Sequence, residues 1–108
     1  MAKFLILFRG GSIPEDKKEQ SITDRLAWMA SLSAEGKFID GSPLKPEGLV
    51  IHTHAEAKYI HNGDSINGYA IIDVSDMDSA MDAAQSAPQV QPEYGSAKAE
   101  IRPLLSLA

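Results

Sequence analysis

The sequence predicts an α+β layer made of two split β-α-β units, with two helices on one sheet face and the second sheet face buried in a homodimer. Three observations predict it. Strand-like and helix-like segments follow one another in the order strand, helix, strands, helix, strand. Two of the strands are apolar on both faces, so neither side of the sheet suits water. The chain has 108 residues, 44% of them apolar and 23% charged, which is enough for one core and one domain, residues 1–108.

Lys3 to Arg9 reads as a central strand, because Phe4, Ile6 and Phe8 alternate with Leu5 and Leu7. Gly10-Gly11 ends it, and Ser12-Ile13-Pro14-Glu15 supplies a cap, an early proline and an acid, the marks of a helix start. Ser21-Ile22-Thr23-Asp24 repeats the signal, so the spacing predicts a short polar piece and then a main helix from Ser21 to Glu35 that closes on Gly36. Leu26, Met29, Ala30 and Ser33 share one face of that helix, with Trp28 and Leu32 as a second apolar stripe beside it. Lys37 to Gly41 reads as a second strand and Leu49 to His54 as a third. Lys58–His61, Asn62-Gly63 and Ile66–Val74 read as a hairpin, whose second arm is apolar on both faces. Ser75 precedes a helix with Met77, Ala80, Met81 and Ala84 in phase, stopped by Pro88. After a loop from Pro88 to Gly95, Ala97 to Arg102 alternates as a last strand ended by Pro103. This order fits a ferredoxin-like sheet, and a second copy of the same sheet is the least costly cover for its other face.

The charge pattern excludes one class of partner. Ten Lys and Arg face fifteen Asp and Glu, a net charge of −5. Between Tyr59 and Ala97 there is no Lys or Arg, while Asp64, Asp73, Asp76, Asp78, Asp82 and Glu93 lie there. No basic patch is available to release counterions from a phosphate backbone, so no nucleic acid partner is expected. The absence of cysteine removes disulfides and thiolate chemistry and fits a cytoplasmic location. No membrane partner is expected either, since the apolar run Phe4–Phe8 is far short of the roughly 20 residues a spanning helix needs. Gly10-Gly11 does not extend to a phosphate-binding or dinucleotide glycine pattern, and no cofactor is expected.

Two stretches resemble the YCII-related family, including its branch named for a DGPF motif. Glu35-Gly36-Lys37-Phe38-Ile39-Asp40-Gly41-Ser42-Pro43-Leu44-Lys45-Pro46 is similar to that family's helix end, second strand and Gly-x-x-Leu-x-Pro corner. Ile66–Val74, Asp76–Ala80, Ala87-Pro88 and Glu100-Ile101-Arg102-Pro103 resemble its Gly-Tyr strand, second helix and terminal strand. The resemblance implies a dimeric α/β-barrel-like pairing of ferredoxin-like sheets, with activities mostly unassigned. In the YCII branch a His–Asp pair is the proposed catalytic feature. Aligning Glu35-Gly36 puts Arg25 and Ala34 at those positions, and neither can act as a general base. Of the DGPF signature at most Asn62-Gly63-Asp64 remains.

Two constellations carry candidate chemistry. His52, His54 and His61 fall within ten residues, and imidazoles exchange protons near neutral pH, so they are the acid/base candidates for an enzyme acting by proton transfer. His52 and His54 share a strand face and, with His61 and Glu56 or Asp64, could chelate an ion, but His-x-His is common without metal and none is assigned. The second constellation follows from topology. Arg9, Asp40, Asp64 and Asn67 are expected at one sheet end beside Gly10-Gly11, with Arg9 anchoring a small carboxylate and Tyr69 offering a hydroxyl. The alternative is an Arg9–Asp40 or Arg9–Asp64 ion pair closing that end. The functional expectation is a small-molecule ligand, polar or carboxylated, near the dimer interface, held either by an enzyme or by a noncatalytic binding module.

Overall fold

A computed structural model of the protein describes residues 2–51, 58–59 and 66–106. Four strands, β1 (Ala2–Arg9), β2 (Phe38–Pro43), β5 (Ile66–Val74) and β6 (Lys98–Pro103), form one sheet in the order β2-β5-β1-β6. Every pairing is antiparallel. Helices α1 (Lys18–Ala34) and α2 (Met77–Gln85) each connect non-adjacent strands, which makes the fold ferredoxin-like α+β. No helix among the described residues is long and apolar enough to cross a membrane.

The two-faced strands are the two central ones. Phe4, Ile6 and Phe8 of β1 and Ala70, Ile72 and Val74 of β5 are buried against Trp28 and Leu32 of α1 and Ala80, Ala84 and Ala87. Phe8 meets Trp28 edge to face, centroids 6.1 Å apart, and the indole Nε1–H donates to Ala83 O and Ser86 Oγ, both at 3.1 Å. Trp28 thus ties α1 to α2. A Trp28→Phe exchange keeps most of the ring contact and removes the indole donor, while Ala83 O still accepts from Ser86 Oγ at 2.8 Å; the loss is expected to be about 1 kcal/mol in urea unfolding followed by circular dichroism.

Several local expectations shift in three dimensions. The first helix is one continuous piece after a short 3-10 turn at Glu15–Lys17, and Ser21 is not a cap but a buried residue on its inner face. That face runs through Ser21, Arg25, Trp28 and Leu32, leaving Leu26, Ala30 and Ser33 exposed. At its end Gly36, at φ 71°, donates to Ser33 O, and Lys37 donates to Leu32 O, the paired bonds of a Schellman cap. In α2, capped by Asp76 accepting from Ser79 N at 2.8 Å, the small Ala80 and Ala84 face the sheet while Met77 and Met81 stay largely exposed. The hairpin expectation also changes: β4 (Lys58–Tyr59) pairs with β3 (Leu49–Val50) in a separate ribbon, because both edges of β5 are taken by β1 and β2.

No described helix covers the opposite sheet face. Alternation places Leu5, Leu7, Tyr69 and Ile71 at its centre. Lys3, Arg9, Lys98, Glu100 and Arg102 flank them on the β1 and β6 side, with Asp40 and Asp73 on the β2 and β5 side.

Candidate functional site

The residues expected to gather at one sheet end divide between two places. Arg9 lies on the open face, where its Nε and Nη2 donate to Glu100 Oε1 at 3.2 and 2.9 Å. Arg102 donates to the other oxygen of Glu100 at 3.2 Å, and the bonds from the two arginines, Arg102's first, hold the Glu100 carboxyl below its ordinary pKa. The partner of Arg9 is therefore Glu100 of β6, not Asp40. The register explains why: Arg9 sits opposite Lys98 and Ile66, whereas Asp40 sits opposite Ile71 in mid-sheet. Asp40 instead accepts from the Tyr69 hydroxyl at 3.0 Å, a bond that raises the phenol's pKa. His52, His54, His61 and Asp64 lie outside the described residues.

Asn67 takes a different path. A register shift between Phe8 and Arg9 sets Ile66 against Arg9 and leaves Asn67 out of the alternation, and its Nδ2 donates to Gly10 O at 2.6 Å. This bond closes one side of a cleft of about 600 Å³ where β1 leaves the sheet. Gly10-Gly11 and Ser12 form one wall, Pro43 and Leu44 another, and Gln89, Tyr94 and Ala97 a third, with Lys18 and Arg25 entering from α1. Two other clefts, of about 270 and 470 Å³, lie along α1, and each includes acidic lining residues. The cleft at Gly10-Gly11 has no carboxylate among its described lining residues.

The walls are held by close backbone approach. Gly11 has φ +76°, and a Cβ there would stand 2.9 Å from Ala97 N and from Gly95 O. Gly95 has φ +96°, and a Cβ there would fall on the Ser12 backbone. Tyr94, itself buried, donates to Asp24 Oδ2 at 2.5 Å and so fastens this wall to α1. The bond pushes the Tyr94 pKa up to about 12 and holds Asp24 below its ordinary carboxylate value. The link is thus fully made at neutral pH. A raised tyrosine pKa stabilises the fold below pH 10 and is lost as pH climbs toward about 12; the lowered Asp24 pKa stabilises above pH 3.8 and is lost as acid protonates it. The stability difference between wild type and Tyr94→Phe should therefore be flat near neutrality and shrink at both extremes in a pH series of thermal melts.

Arg25 is the unusual member of the cleft. Its Nε is shielded from solvent and has no hydrogen-bond partner among the described residues. Burial pushes its pKa down from the ordinary guanidinium value, yet arginine stays charged at neutral pH. Lys18, at the rim, pairs with exposed Glu15 at 2.8 Å, a surface contact that is readily redirected. The cations that line the cleft at the diglycine are accordingly Arg25 and Lys18, not Arg9. Sequence reasoning passed over Arg25 because arginine cannot do the work of a base, but its spacing, three before Trp28 and seven before Leu32, puts it in phase with the buried stripe.

The chain is similar to 5-chloro-2-hydroxyhydroquinone dehydrochlorinase (TftG) from Burkholderia phenoliruptrix AC1100, solved in complex with 2,5-dihydroxybenzoquinone. The two share a fold. The TM-score to TftG is 0.51, covering 93% of this chain and 90% of that one, at 16% identity. At this identity the TftG likeness speaks to the fold alone, a ferredoxin-like architecture. No family model and no curated protein sequence matches the chain.

Proposed function

We propose that this protein is a YCII-related homodimer that binds a small organic anion, a carboxylated metabolite, in the cleft around Arg25. One observation carries the reading: Arg25, whose guanidinium makes no ion pair among the described residues and whose Nε is buried without a partner, lines a cleft whose described lining holds no carboxylate. An acceptor of negative charge is what such a group lacks. A small ligand suits the fold, since TftG, which shares it, is solved with one. Where the YCII resemblance places a histidine, Arg25 stands, so the cleft holds charge rather than moving a proton. Titration calorimetry with short aliphatic carboxylates at low salt is expected to show saturable binding that weakens as salt rises. No heat beyond dilution would overturn the reading. Proton transfer by His52, His54 or His61 is the enzymatic alternative, and it is wrong if single alanine exchanges leave a detected turnover unchanged.

The dimer is assigned to the open sheet face. Its centre is apolar, its β1 and β6 side is basic, and its β2 and β5 side carries Asp40 and Asp73. A two-fold axis along the strands lays β2 of one copy over β6 of the other, so acid meets base and the Leu5, Leu7 and Ile71 cluster meets itself. Light scattering at micromolar concentration should give about twice the chain mass; 11.6 kDa would contradict the assignment.

A further inference from the structure

We infer that the anion held beside Arg25 is a hydroxy acid, recognised through its hydroxyl by Gln89. The inference rests on the anion-binding reading above and narrows it. Two residues that line this one cleft each carry a side-chain atom buried without a hydrogen bond: Arg25 its Nε, a donor, and Gln89 its Oε1, an acceptor. Buried polar groups are nearly always satisfied, and two complementary orphans lining the same space are both answered by one molecule. That molecule needs an anionic acceptor for Arg25 and a donor for Gln89. An ammonium group would supply the donor, but Arg25 and Lys18 line the same cleft and repel it. A neutral hydroxyl meets the requirement. The Gln89 backbone is held where it is: its main-chain carbonyl accepts from Ala97 N at 2.9 Å, which ties the Pro88–Val90 turn to the start of β6 before any ligand arrives.

The test compares butanoate with its 2-, 3- and 4-hydroxy derivatives on the wild-type protein by titration calorimetry. At least one hydroxy isomer should bind about tenfold tighter than butanoate, because it alone satisfies a buried acceptor that the parent acid leaves unpaired. In Gln89→Leu that gain should vanish while butanoate binds as before, with a thermal melt confirming that the variant is folded. Equal binding of butanoate and all three hydroxy acids would overturn the hydroxyl inference and leave the anion site standing. Binding of none of the four would overturn both. The wild-type comparison decides the matter even if the variant does not fold.

Discussion

Replacing Arg25 by methionine is expected to weaken binding of a small carboxylate by about 10- to 100-fold while leaving the protein as stable as before or more so. Two opposite effects of one side chain produce this result. A charge-assisted hydrogen bond to a carboxylate is worth about 1.5–3 kcal/mol, and tenfold in affinity is about 1.4 kcal/mol. The same guanidinium, with no ligand present, carries a shielded Nε that no described residue satisfies. Methionine fills a similar volume beside Trp28 and Leu32 without a polar atom to desolvate, so the melting temperature should hold or rise. Arg25→Lys should fall between, keeping charge but losing the planar fork. Calorimetry measures the affinities and differential scanning the stability. A variant that binds as wild type would remove Arg25 from the site, and one that unfolds would show it to be structural.

Gly95→Ala should give the largest loss of stability, about 3 kcal/mol, or a drop of roughly 15 °C in melting temperature for a chain of this size. Left-handed backbone alone costs an alanine about 1 kcal/mol. The remainder comes from the Ser12 backbone, whose N and C atoms would stand 2.5 Å from the new Cβ, with nothing flexible to give way. Gly36 is the control. At φ +71° it has the same conformational demand, but a Cβ there meets nothing within 4 Å, so Gly36→Ala should lose only the backbone penalty of about 1 kcal/mol. Because Ser12 also lines the cleft, carboxylate affinity should fall in Gly95→Ala and not in Gly36→Ala. Equal losses in the two variants would mean that the contact with Ser12 does not hold the wall.

Much of the layer was legible residue by residue. Phe4–Phe8 and Ile66–Val74 announce central strands because a segment apolar on both faces has nowhere else to go, and Gly36 announces a helix end because few other residues take a left-handed cap. The site was only half legible. Strand order draws Gly10-Gly11 and Asn67 to one end of the sheet, where Asn67 meets Gly10, but it draws Arg9 and Asp40 there as well, because a strand order without a register cannot say which residues stand opposite one another. Four positions of register separate them along the strands: Asp40 faces Ile71, which faces Leu5, while Arg9 faces Lys98. In the same way the hairpin arm expected over Lys58–His61 pairs, through its described residues Lys58–Tyr59, with β3 and not with β5, whose two edges are occupied.

The sequence by itself determined the elements, their order and the split β-α-β plan, since periodicity, caps and glycines act over a few residues and can be read locally. Only the tertiary structure decided which cation faces the cleft and which acid it lacks. Glu100 reaches Arg9 across 91 positions and Tyr94 reaches Asp24 across 70, and desolvation of Arg25 depends on walls drawn from all four strand ends. Electrostatic partnership is set by distance in space, and distance in space is set by register and helix phase together, which no local pattern contains.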